Sequence, residues 1–164
     1  MKRLFLGALL ALLPVLGHPA ALSDYAENAA VDSLLRGQTA LTPVAVYVAL
    51  ATSASSDAAC GTEVSGGSYA RVAVTSSLAN WAGTQSAGST AASSGTGGTT
   101  SNNAAITFPA PTANWGVVTG FCVFDAGTAG NLLFYAALTV NKTVNSGDSA
   151  PSFAIGALTF TSDN

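Results

Sequence analysis

The hydrophobic positions of this chain follow two periods. After Pro43, Val44, Val46, Val48 and Leu50 alternate with Ala45, Tyr47, Ala49 and Ala51. Both faces of that segment are apolar, which predicts a strand covered on both sides. Tyr69 to Ser77 sets Tyr69, Arg71, Ala73 and Thr75 against Ala70, Val72 and Val74, the pattern of a half-exposed strand. Further strands are read at Asn103 to Phe108, Val117 to Phe124, Leu132 to Val140 and Phe153 to Phe160. Turn chemistry separates them: Pro109-Ala110-Pro111, Asn114-Trp115-Gly116, the stretch from Asp125 to Asn131, and Asn145-Ser146-Gly147-Asp148. One segment has helical spacing instead, with Ala26, Ala30, Val31, Leu34 and Leu35 on one side and Asp32 and Arg36 on the other. Asp24 followed by Glu27 reads as its capping box and Gly37 as its stop. The apolar side predicts that this helix packs on the strands. Short strands at regular spacing with a single short N-terminal α-helix predict an all-β fold, an antiparallel β-sandwich or jelly-roll-like domain.

Two stretches depart from these periods. In residues 1–21, Lys2 and Arg3 precede an apolar run of 13 residues, Leu4 to Leu16. The run is too short to cross a membrane and has the length of a signal-peptide core. It reads as a signal-like leader or as an N-terminal extension, and His18 and Pro19 suit neither cleavage after Ala20 nor cleavage after Ala21. Residues 22–164 are then one β-sandwich domain. Within it, Gly83 to Asn103 contains only Gly, Ser, Thr, Ala, Asn and Gln, with almost nothing to bury. It is expected to be a flexible loop, or an arm ordered by a neighbour.

Composition narrows the chemistry. The 164 residues include 5 Lys and Arg and 8 Asp and Glu, and without the leader the basic residues fall to Arg36, Arg71 and Lys142. No basic stripe exists for a nucleic acid to bind. His18, the only histidine, lies in the leader. The rest of the chain can therefore build neither a Ser-His-Asp triad nor a Cys-His dyad, and it lacks the imidazole ligands most zinc sites use. The carboxylates sit in caps and turns with no spacing that favours a catalytic pair. No metal, cofactor or small-molecule substrate is expected. Cys60 and Cys122 are too far apart for metal-ligand spacing; they are a candidate disulfide if the chain is exported and two free thiols in a reducing compartment. Trp81 and Trp115 could stack sugars where exposed, and close a core otherwise.

Several motifs together resemble a known family. Leu22-Ser23-Asp24-Tyr25-Ala26-Glu27, running on to Arg36, is followed by Pro43 leading into Val46-Tyr47-Val48-Ala49-Leu50, and then by Gly61-Thr62-Glu63 through Tyr69-Ala70-Arg71. The second half adds Ser101-Asn102-Asn103 through Phe108, Trp115-Gly116, Phe124-Asp125, Gly130-Asn131-Leu132-Leu133-Phe134 and Thr143 to Gly147-Asp148. In this order, from about Leu22 to Thr161, they resemble small tailed-bacteriophage virion proteins usually labelled tail fibre proteins. Such chains begin near Leu22 without a leader, and they carry a glycine-rich turn where Cys60 stands.

The resemblance implies a non-enzymatic structural protein of a virion, a tail fibre or capsid decoration subunit, and it carries over no catalytic residues. It implies partners among other virion or fibre proteins and copies of the chain itself, as a homo-oligomer such as a trimer, with a host-surface receptor as a further partner. Localisation would be the virion. The leader supports the alternative of an exported bacterial surface or filament subunit, secreted after cleavage.

Overall fold

The computed structural model describes residues 11–12 and 20–162. Apart from Ala11–Leu12 and Ala20–Ala21, the leader lies outside the described residues.

The elements run β1 (Ala11–Leu12), β2 (Ala21–Leu22), α1 (Asp24–Leu35), β3 (Ala45–Ala51), β4 (Val72–Thr75), β5 (Thr99–Ser101), β6 (Ile106–Thr107), β7 (Gly116–Phe124), β8 (Leu132–Val144), β9 (Ser152–Phe153) and β10 (Thr159–Thr161). A five-stranded sheet in the order β2-β8-β7-β3-β4 carries the fold. All its pairings are antiparallel. Two small sheets, β1-β9-β6 and β10-β5, complete the structure; β1 runs parallel to β9. The chain is therefore all-β with one short helix, as its periodicity predicts.

The alternating pattern of β3 does divide between two faces. Val48 and Leu50, with Phe121 and Val123 of β7, join the main core with Phe108, Phe153 and Phe160 from the small sheets. The rings meet mostly edge to face, Phe121 lying 5.6 Å from Phe153 and 6.2 Å from Phe160. Each fully buried ring of this kind stabilises by roughly 1.5 to 3 kcal/mol. On the opposite face, Ala49, Ala51, Cys122, Phe124 and Leu132 form a second, smaller cluster.

Five sequence expectations need correction. The N-cap of α1 is Ser23, whose Oγ accepts from Ala26 N at 3.2 Å, so Asp24 lies inside the first turn and Asp24 with Glu27 makes no capping box. Ser23 is preferred because its hydroxyl also donates to Leu132 O in the buried seam beneath the helix. Gly37 does end the helix, at φ +67. Second, only Ala26 of the helix's apolar side is buried; Val31, Leu34 and Leu35 are 50%, 81% and 82% exposed. Third, the strand read at Tyr69 to Ser77 begins only at Val72, because the Tyr69 side chain takes the position a ladder partner would occupy: its hydroxyl accepts from Leu50 N at 2.9 Å.

The fourth concerns the last strand, which is two. Between β9 and β10 the chain turns at Gly156, φ +73, around the buried side chain of Asn102. Asn102 Oδ1 accepts from Leu158 N at 2.9 Å, and its Nδ2 donates to Ala154 O at 2.8 Å and to Ala104 O at 2.7 Å. One amide thus satisfies the backbone groups that a continuous strand would have paired. The Gly83 to Asn103 stretch is not loop throughout, since Thr99–Ser101 pairs with β10. The remainder folds around Gln85, whose side chain bonds Ser89 Oγ, Ala92 O and Ser94 N.

Candidate functional site

The charged residues singled out in the sequence converge beside the edge of β3. Glu63 is tied to β3 by an isolated bridge to Ala51. Arg71 meets it in a two-pronged ion pair, Nε to Oε1 at 2.9 Å and the terminal nitrogen to Oε2 at 2.8 Å. The guanidinium also donates to Ala126 O and Ala129 O, each at 2.8 Å, and lies 3.6 Å above the Phe124 ring. Tyr69 donates to Glu63 Oε1 at 3.0 Å and packs its ring edge against Trp115 at 5.3 Å and parallel to Phe108 at 6.2 Å. Burial pushes the Tyr69 phenol far above its usual range; the Leu50 N–H it accepts opposes that shift, and the nearby Glu63 carboxylate adds to it. Trp115 in turn donates from Nε1 to Gly67 O at 3.0 Å.

This cluster has the ingredients of a reactive site but not its freedom. Each polar group is already committed to a fixed internal partner, so the network locks three loops onto the sheet.

Other motif residues shape turns. Asp125 accepts from Asn131 N and from its Nδ2, both at 2.7 Å, and closes the loop that Arg71 holds. Gly130 stands at φ +78, where an added Cβ would lie 2.7 Å from that of Ala126. Gly116 and Gly147 also adopt positive φ, and Asp148 accepts from Asn145 N at 2.7 Å. Gly61 passes so close to Ser53 O and Ala54 O that no side chain fits.

Leu22 pairs with Phe134 in β2–β8, and Leu133 is buried, with its carbonyl accepting from Ser23 N. Tyr25 and Glu27 are surface residues of α1, and Arg36 pairs with Asp32 at 3.0 Å on its exposed side. At the same end of the sheet, Tyr135 donates to Asp57, a bond that raises its pKa to about 12, with burial adding to the shift.

Cys60 and Cys122 are bonded in the structure. The bond ties the segment after β3 to the central strand β7, over the smaller core cluster. Ser55 Oγ lies 3.3 Å from Cys122 Sγ and accepts from Gly61 N at 3.0 Å, so the segment is also held by hydrogen bonds. Among the described residues no group of three His, Cys, Asp or Glu could hold a metal ion, and no helix is long and apolar enough to cross a membrane.

Sequence reasoning missed two elements of this arrangement. Asn102, within the stretch expected to be loop or arm, is an internal plug, a role visible only once the Leu158 turn is folded around it. The periodicity of α1 predicts a packing face along its whole apolar side, yet its end is exposed, as are Leu41 and Val44 in the segment leading to β3, 40% and 85%.

A family model described as podophage GP4 fiber I protein gp80 matches residues 21–161, which takes in β2 through β10 and all of these networks. The chain belongs to the gp80 fiber I family. The match starts at Ala21, where β2 begins, so residues 1–20 lie outside the matched region. A search of curated proteins returns no match. Membership makes this chain a phage fibre-type protein, hence a component of a virion, and the Glu63–Arg71–Tyr69 network belongs to the body of a fiber I domain.

Proposed function

We propose that the chain is a non-enzymatic structural subunit of a phage fibre that assembles through protein–protein contacts, with copies of itself and with other virion proteins. The observation that carries this reading is where the apolar surface lies. Glu63, Tyr69 and Arg71 are paired with one another in the body of the fold, whereas Val31, Leu34, Leu35, Leu41 and Val44 stand open to water in α1 and the segment leading to β3. Large aliphatic side chains left exposed on a small domain mark a protein contact. The same helix carries Asp24, Glu27 and Asp32, polar residues of the kind that rim such contacts. A cyclic homo-oligomer, a trimer in the simplest fibre, would bury one such patch per subunit.

Light scattering and crosslinking of the purified chain test this reading. A defined oligomer that dissociates when Leu34→Glu and Leu35→Glu are introduced is expected, with far-ultraviolet circular dichroism unchanged. A monomer that also fails to bind virion proteins, or an oligomer indifferent to both substitutions, would overturn the assignment of this face.

A further inference from the structure

Both strands of the C-terminal segment are paired twice, and in each case one of the two partners comes from the leader. β9 lies between β6, antiparallel at Ile106 and Thr107, and β1, parallel at Ala11 and Leu12. In β10, Phe160 pairs with Thr100 of β5 and forms an isolated parallel bridge with Ala20. Ala20 N donates to Thr159 O at 3.1 Å, and the residue is 1% exposed, within the main core cluster that also holds Phe153 and Phe160. The two leader contacts run in the same direction and in nearly equal step. Ala20 follows Leu12 by eight residues, and Phe160 follows Phe153 by seven.

These partners matter where they stand. Ser152 and Phe153 are 5% and 0% exposed, and a buried strand needs its N–H and C=O groups paired on both edges. Without β1, one edge of β9 would be open, a template for pairing with another chain. The family match starts at Ala21, so the strand that closes this edge lies outside the matched region. Both candidate cleavage points of the leader fall on paired backbone. A cut after Ala20 removes a core residue together with both leader contacts. A cut after Ala21 divides β2, whose Ala21 and Leu22 pair with Tyr135 and Phe134.

We propose that the leader is a retained strand of the protein, docked in parallel on the C-terminal segment through Ala11–Leu12 and Ala20, and that the edge formed by β9 and β10 is its binding surface. A signal peptide is discarded, whereas this leader supplies ladder partners to two strands that are each paired with the body of the fold on one side only. Strand addition draws its affinity from main-chain hydrogen bonds. It therefore asks that the added segment be extended and free of proline at the paired positions, and Pro14 and Pro19 both fall outside them. His18 and Pro19, which suit neither cleavage point, agree with retention. The proposal rests on backbone pairing at the C-terminal segment and not on the aliphatic residues of α1, so it holds or fails independently of the assembly reading.

The test uses the full chain, expressed with its leader in a bacterial host that has a working export pathway. Its intact mass should include the leader. Hydrogen exchange followed by NMR should then show the Ala20 amide, which donates to Thr159 O, exchanging at least about a hundredfold more slowly than a free amide. Ala11→Pro with Leu12→Pro removes both N–H groups of β1. In that variant the amides of Ser152–Phe153 should exchange about tenfold faster or more, while those of β3 and β7 keep the parent's rates and show that the body of the fold is intact. The proposal is overturned by a mass that starts at Ala21 or Leu22, by an Ala20 amide that exchanges as fast as a free one, or by β9 exchange that the paired prolines leave unchanged.

Discussion

Reducing the Cys60–Cys122 bond should lower stability by an amount the topology sets. The bonded positions are 62 residues apart, and closing a loop of that length removes denatured-state entropy worth about 4 kcal/mol at roughly 25 °C in the chain-entropy relation. The folded state should change little on reduction. Cys122 is fully buried on β7, and Ser55 continues to hold the neighbouring backbone through Gly61 N, so the two thiols need separate only to van der Waals contact. The whole effect should therefore appear as a more disordered unfolded chain. The assay is urea unfolding followed by tryptophan emission, on the oxidised protein, on the protein reduced with a phosphine, and on Cys60→Ala. The first should exceed the other two by about 4 kcal/mol, with a larger m-value in the reduced forms because their unfolded state exposes more surface. In a thermal scan the same difference amounts to roughly 10 °C. Cys60→Ala should show no further loss when reductant is added. A difference below about 1 kcal/mol would refute the reasoning, because it would mean that the bond strains the native state by nearly as much as it restrains the unfolded one.

Arg71→Ala should destabilise by about 2 to 3 kcal/mol, below the full cost of breaking a buried pair because the Glu63 side chain is 27% exposed; a double-mutant cycle with Glu63→Gln that shows coupling under about 0.5 kcal/mol would contradict the network. Asn102→Ala strands buried backbone groups at Leu158 and Ala154 and should cost about 2 to 4 kcal/mol in the same urea assay, whereas an effect below about 1 kcal/mol would mean that water replaces the amide. Tyr69 and Tyr135 both have phenol pKa values raised above the ordinary value of 10.0. Their contribution is complete below that value and is lost as pH rises through the folded pKa, up to about 12 for Tyr135. Stability should thus fall with increasing pH above about 10, and Tyr135→Phe should flatten that fall; an identical slope in the variant would count against the Asp57 bond. At concentrations where the parent chain is monomeric, Leu34→Glu should leave unfolding free energy within about 0.5 kcal/mol of the parent, since the side chain is 81% exposed; a larger loss under that condition would place it in the core.

What the order of residues settles here is local. The double-faced alternation of Val44 to Ala51 announces a central strand because hydrophobic residues at a period of two have nowhere else to go. The turns at Asp125 to Asn131 and Asn145 to Asp148 are equally legible, since Asp, Asn and Gly form them through short-range bonds. The position of the single histidine, His18, is likewise plain from the sequence, and the ordered motifs point to the family that the chain belongs to.

Tertiary structure decides everything that depends on distant partners. Glu63, Tyr69 and Arg71 are named by the sequence, yet that their groups satisfy Leu50, Ala126 and Ala129 depends on chain segments up to 58 residues away. Val72 rather than Tyr69 opens β4 because one side chain replaced a ladder bond, and the final strand splits because the Asn102 amide competes with strand pairing. Periodicity likewise shows that α1 has an apolar side, while only packing shows which part of that side is covered. Ala26, near the start of the helix, is covered, while Leu34 and Leu35 at its end are left in water. A hydrophobic residue states a preference for burial; the geometry of its neighbours determines whether the folded chain meets that preference or leaves it for a partner.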